Sequence, residues 1–219
     1  MVRFAAIVAT AGLLAGCAIN PVQLGTGAEN TTVAGLAASA NPAFTKSHRS
    51  GLGVADAAAT PDTTGQQVAV DASRKAPKGA LADRDYSATK LDPQHALELI
   101  NAYRAAKGLT ALRLDPRLTI AAKAQSRDLA TTDRISHYGS DGSSPWDRVK
   151  RTGYNAKIAA ENVGTGQASL DEVFKGWTES PGHNRNLLLP GARDMGIALV
   201  EDTKTEFKTF WTLVVACSQ

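Results

Sequence analysis

The sequence predicts an α+β domain, a three-layer α-β-α sandwich of about 130 residues, preceded by a segment that does not fold. Three observations predict it. Helix-start signals of the type Asp-Pro or Ser-Pro recur between residues 92 and 145. The last 25 residues read as two strands. The longer of those strands is apolar on both faces, which asks for a helical layer on each side.

The first residues, MVRFAAIVATAGLLAGC, place Arg3 before an apolar run that stops at Cys17. That run is too short to span a bilayer and reads as a signal-peptide core, residues 1–16. The ending Leu14-Ala15-Gly16-Cys17 resembles a bacterial lipobox. The resemblance implies lipidation of Cys17, and with no Asp following it, the outer membrane of a Gram-negative cell envelope facing the periplasm. Lipid on Cys17 would leave Cys217 as the one remaining thiol of a two-cysteine chain, so no disulfide is expected within it. Residues 17–88 are rich in Ala, Thr, Gly and Ser with no sustained period. They are expected to be a flexible tether, reaching about 45–50 Å root-mean-square as a coil.

The domain, residues 89–219, opens with Asp92-Pro93, an N-cap followed by a residue suited to the first helical position. Ala96, Leu97, Ile100 and Tyr103 share a face, and Gly108 ends the helix. Asp115-Pro116 repeats the signal, with Leu118, Ala121, Ala122, Gln125 and Leu129 at helical spacing as far as about Thr131. Ser144-Pro145 starts a short helix to Arg151. Residues 158–163 add a short strand. Ser169 and Glu172 form a capping box for a helix carrying Val173, Phe174 and Trp177, which ends before Pro181. Strands follow at 196–200 and 207–216, joined by a polar loop into a hairpin.

Familiar catalytic patterns are absent: no GxxxxGK[ST], no HExxH, no GxSxG. A net charge of +3 without a dense Lys/Arg run gives no reason to expect nucleic acid. Cys217 ends a strand that reads as buried, where a thiol is inert. What remains is a set of polar residues beside glycines: His137, Asp141 to Pro145, Arg148, Gly153-Tyr154, Glu161-Asn162 and Ser180 to Asn186.

In this order the segments HYGSDGSSPWDR, GY, AENVG and WTESPGHNRNLL resemble the CAP superfamily. That group includes cysteine-rich secretory proteins, antigen 5 and pathogenesis-related-1 proteins, and the likeness is to its bacterial branch. It covers about residues 94–217. It implies the same α-β-α sandwich, with histidines and acids around a central cleft. His137, Glu161 and His183 match three of these, and Pro181-Gly182 is expected to present His183 from a rigid turn. The family's second acid falls at Ser180 here. Glu179 lies one residue earlier, about 100° round a helix, and is carried as the fourth member.

Two imidazoles and a carboxylate suit zinc or another divalent cation. Two histidines 46 residues apart are not in themselves a zinc signature. The expected function is a non-catalytic, lipid-anchored binding module whose cleft takes a divalent cation or a polar or lipid ligand. Its partners would be the membrane, through Cys17, and peptidoglycan, lipid or envelope proteins. One alternative is a metal-dependent hydrolase of peptide or cell-wall substrates with Glu161 as general base. The other is a structural envelope protein.

Overall fold

The structure, a computed structural model, describes residues 59–61, 67–69 and 74–219. The signal peptide, the lipobox and most of the tether lie outside the described residues. Strands β1 (Ala59–Pro61) and β2 (Gln67–Ala69) pair antiparallel. The domain proper begins with α1 (Pro93–Ala105), where the Asp92 side chain accepts from the backbone N–H groups of Gln94 and His95. After β3 (Arg113–Leu114), Asp115 caps α2 (Pro116–Thr132) in the same way, accepting from Arg117 N. A reciprocal Ser144/Asp147 capping box opens α3 (Pro145–Arg151). These starts fall where the sequence puts them because an N-cap is a local bond between near neighbours.

Strand β4 (Ala156–Thr165) is followed by α4 (Leu170–Glu179) and α5 (Pro181–Leu187). Two strands close the chain, β5 (Asp194–Glu201) and β6 (Thr209–Ser218). The sheet order is β3-β5-β6-β4. β3 runs parallel to β5, and β6 pairs antiparallel with both β5 and β4.

Alternation along β6 sorts the core into two layers. Trp211, Leu213 and Val215 pack with Ile100 of α1, Val173 and Trp177 of α4 and Leu187 of α5. Val214 and Ala216 pack with Leu118, Ala121 and Ala122 of α2 and Val149 of α3. Helices therefore cover both faces, as the doubly apolar strand requires. α2 sits unusually close to the sheet. A Cβ built on Gly196 of β5 would lie 2.1 Å from Thr119 N and 2.2 Å from Leu118 C.

The structure departs from the sequence expectation in five places. Two-residue β3 is too short to leave a pattern. Phe207 stands before the last strand because Lys208 adopts φ 66 and breaks the extended run. Phe207 turns instead onto Phe210, edge to face at 6.1 Å between centroids. Pro181 opens the helix α5 rather than a turn, its missing N–H costing nothing at the first helical position. Cys217 is disulfide-bonded and not a lone thiol; the expectation counted Cys17 as consumed by lipid.

The fifth difference concerns the boundary of the folded body. Residues 74–88, expected in the tether, run along the domain. Arg74 and Ile135 exchange backbone hydrogen bonds of 3.0 and 2.8 Å. Leu81 is buried with Leu129, Ile135 and Phe210. Arg84 pairs with Glu172 at 2.6 Å, and Tyr86 donates to Gly166 O at 3.0 Å. Every partner is remote in sequence, so local composition does not announce them.

The close approach at Gly196 generates a test. Gly196→Ala drives a methyl into helix backbone that cannot yield, and is expected to cost at least about 3 kcal/mol. Gly108→Ala, at φ +70 with open space around it, should cost about 1–2 kcal/mol. Urea unfolding of both variants checks this; a smaller loss at position 196 than at 108 would show that α2 does not lie against β5.

Candidate functional site

Strand β4 lies at the edge of the sheet, and consecutive residues on it face opposite layers. Glu161 faces the α2 and α3 layer. It is buried, and both carboxylate oxygens are engaged. Oε1 lies 2.9 Å from His137 Nδ1, and Oε2 accepts from Arg148 Nη2 at 2.8 Å. Arg148 also donates to His137 O at 2.9 Å and to Ser143 O at 2.8 Å. The loop after α2, the helix α3 and the strand β4 are thus joined through one guanidinium. Burial pushes the Glu161 carboxyl up. The Arg148 charge and the bonds to His137 and Arg148 outweigh it and hold the group below its ordinary range. A carboxylate accepts only, so neutral His137 carries its proton on Nδ1. Its Nε2 is left as an acceptor, buried and without a hydrogen-bond partner.

Asn162, the next residue on β4, faces the other layer. Its Nδ2 donates to His183 O at 3.0 Å. Asn186 Nδ2 donates to Glu161 O and to Asn162 Oδ1, each at 3.0 Å. These bonds staple α5 to the strand at the level of Glu161. His183 is fully buried. Its Nδ1 lies 2.8 Å from Ser180 Oγ, and its Nε2 has no partner. Burial first, and then the neighbouring His137, lower its pKa to about 3. The two rings are therefore close enough for a charge on one to affect the other, although they come from opposite layers around the edge of β4.

Two side chains of α1 hold α5 in place. Tyr103 Oη donates to Asn184 Oδ1 at 2.8 Å. Arg104, fully buried, donates to the carbonyls of Thr110, Leu187, Leu189 and Ala192. The Leu187 and Leu189 carbonyls lie at the negative end of α5, where a cation is favoured. Trp177 donates from its indole N–H to Val163 O at 3.1 Å and belongs to the core.

The structure brings together three of the four residues singled out in the sequence: His137, Glu161 and His183. It does not bring Glu179. That side chain is 66% exposed and its ion-pair partner is Lys175 at 3.8 Å. The one-residue offset rotates it to the solvent side, and Ser180 takes the inner position against His183. Sequence reasoning missed Arg104, Ser180 and the role of Arg148. Arg104 left a faint signal, an arginine four residues beyond Ile100 on an apolar stripe.

Among the described residues, no three His, Cys, Asp or Glu side chains are arranged to hold a metal ion. Two unpartnered imidazole nitrogens fit a zinc-like cation. Glu161 does not, because His137 and Arg148 occupy both its oxygens. It stands behind His137 as an orienting carboxylate, which corrects its expected place as a ligand. The same engagement removes it as a free general base.

The sequence model of the CAP family, described as the cysteine-rich secretory protein family, matches residues 97–215. The uncharacterized protein YkwD of Bacillus subtilis (strain 168) is 37% identical over 105 residues, 48% of this chain and 41% of its own length. The chain thus spans about two fifths of that relative. An outer surface protein from Borrelia burgdorferi has a similar fold, with a TM-score of 0.52 at 20% identity over 59% of this chain and 98% of that one. An extracellular protein containing an SCP domain from Bacillus anthracis str. Ames gives 0.50 at 22% identity, over 59% and 45%.

Burial of His183 predicts a pH dependence. Unfolded, His183 binds a proton below its ordinary value of 6.5; folded, only near 3. The unfolded state therefore binds more protons as pH falls from about 6.5 towards 3, and stability drops across that window. Loss of the depressed Glu161 carboxylate acts in the same direction at its acid end. Stability against urea should fall on acidification, with a shallower slope in His183→Gln. By NMR the His183 ring should show no titration step between about pH 5 and 8. A step near 6.5 would contradict its burial.

Proposed function

The chain belongs to the cysteine-rich secretory protein family, and from that premise we propose that it is an extracytoplasmic binding module whose cleft takes a zinc-like divalent cation through His137 and His183. The observation that carries this reading is the pair of buried Nε2 atoms without hydrogen-bond partners. His137 Nε2 is an acceptor because Nδ1 faces the Glu161 carboxylate, and His183 Nε2 is one in the tautomer whose Nδ1–H donates to Ser180 Oγ. In low-dielectric surroundings an unmet polar atom is costly. A bound cation would meet both at once. Glu161 and Arg148 fix the His137 ring and its tautomer, and Ser180 with Asn162 fixes His183. When bound, such a cation would act as a Lewis acid towards a polar ligand in the remaining coordination positions.

A non-catalytic role is favoured over hydrolysis. The one carboxylate at the cleft is held below its ordinary pKa by Arg148 and His137, which makes it a poor proton acceptor. The alternative of a purely structural envelope protein leaves the two imidazole nitrogens without a purpose.

Placement in the cell envelope rests on the N-terminal sequence. A signal peptide over residues 1–16 and lipid on Cys17 would tether the domain to a membrane, in a Gram-negative cell the outer one. The family's secretory character, and the likeness in fold to an outer surface protein and an extracellular protein, support an extracytoplasmic site. Lipid on Cys17 and a disulfide within this two-cysteine chain exclude each other, so a lipid label also reports which of the two forms a cell makes.

Two experiments test this. Calorimetric titration with zinc chloride should give one site per chain, weakened at least about tenfold in His137→Ala and in His183→Ala. Parent-like zinc affinity in both variants would remove the shared site. For the anchor, cells fed a clickable palmitate should label the parent and not Cys17→Ser. Label retained by Cys17→Ser, or none on the parent, would refute the anchor.

A further inference from the structure

The outer face of α2 carries an apolar group that the core does not use. Ile120, at 59% exposure, is the large hydrophobic side chain left on the surface among the described residues. One exposed isoleucine is ordinary on a soluble protein; its setting here is not. Leu114 and Pro116 line a hollow of about 490 Å³ together with Ile120, Thr119 and Lys123, so the apolar surface continues beyond the helix.

Cations ring this spot. Arg117, Lys123 and Arg127 lie within two turns of Ile120 along α2 and are exposed like it. Lys90, also exposed, lines a furrow beside β5 together with Lys123. Lys90, Lys123 and Arg127 enter no ion pair among the described residues. The acids nearby are largely spent. Asp115 is bonded to Arg117, and Asp128 to Ser140 and Arg134. Glu201, in the same furrow as Lys90, remains exposed. The patch is therefore an aliphatic spot inside a ring of unneutralised, long, flexible cations.

That chemistry selects the partner. Protein interfaces concentrate aromatic residues and shed lysine, whereas the residues lining these two hollows include two lysines and no aromatic side chain. A second copy docked about a two-fold axis would set the cations against their own duplicates. A bilayer with anionic headgroups meets both features at once. The aliphatic side chain enters the acyl boundary, and the basic side chains lay their methylenes there while their charged ends reach the phosphates. We propose that the outer face of α2 is a membrane-docking surface, with Ile120 at the acyl boundary of an anionic bilayer and Lys90, Lys123 and Arg127 on its headgroup phosphates.

The surface acts independently of the histidine cleft and of lipid on Cys17, so its test reads which face meets the bilayer rather than whether the chain is bound. The full chain is mixed with phosphatidylglycerol vesicles, or with phosphatidylcholine vesicles, and its lysines are acetylated and followed by mass spectrometry. On phosphatidylglycerol, Lys90 and Lys123 should react at least about fivefold more slowly than in solution, the worth of one headgroup contact. Lys107 and Lys175, exposed on the opposite layer, should react as before. The slowing should vanish in about 1 M salt, where the Debye length is about 3 Å. Ile120→Asp and Arg127→Glu change exposed positions, so both should fold, and both should restore the reactivity of Lys123. The proposal is overturned if Lys90 and Lys123 are not slowed, if Lys107 and Lys175 are slowed equally, if phosphatidylcholine protects as well, or if both variants stay protected. Protection that instead grows with protein concentration in the absence of vesicles would make a second copy the occupant and sink the lipid assignment.

Discussion

Glu161 is a carboxylate taken almost wholly out of water at the edge of the sheet, and the arrangement of the site follows from how it is neutralised. Its charge survives burial because Arg148 and His137 each occupy one oxygen. Removing one partner from a buried pair of this kind costs about 3–5 kcal/mol, since the other charge is left uncompensated. The pair is therefore better understood as a constraint on geometry than as a source of net stability. It requires the loop after α2, the helix α3 and the strand β4 to meet at one point. It also decides which nitrogen of His137 faces the cleft. The Arg148 guanidinium is the common member, since it bonds Ser143, His137 and Glu161 together.

The opposite layer is organised by amides and a buried arginine. Asn162 and Asn186 bond each other and the backbone on either side, so a seven-residue helix is registered against the strand. A helix this short has little stability of its own. Arg104 and Tyr103 of α1 supply what it lacks by bonding its last carbonyls and Asn184. His183 consequently sits on a platform fixed at both ends, and its burial keeps it neutral. The result is a pair of imidazoles approaching one edge strand from two layers, a meeting that no single element could provide.

The folded body extends below the expected boundary. Arg74 pairs with Ile135, two residues before His137. The strap of residues 74–88 therefore meets the domain beside the site loop and then crosses to α4 through Arg84 and Glu172. Glu172 shows how one residue serves two contexts. Its backbone N–H donates to the capping hydroxyl of Ser169, while its carboxylate leaves the capping box to accept from Ala168 N and Arg84.

Much of the fold was legible because the signals were local or periodic. Asp92, Asp115, Ser144 and Ser169 each cap a helix within four residues of themselves, and the stripe from Leu118 to Leu129 and the two faces of β6 follow from the helical and strand repeats. The site was legible only in part. His137, Glu161 and His183 were found through the resemblance of whole segments and not through their spacing. By itself the sequence determined the element order, the helix starts and the doubly covered strand, because these depend on bonds and burial patterns within one segment. Tertiary structure alone decided that Ser180 and not Glu179 faces His183, that Arg104 holds α5, that residues 74–88 join the domain, and that Glu161 is spent on Arg148. Each of those depends on a partner distant along the chain, and only the folded backbone sets such distances.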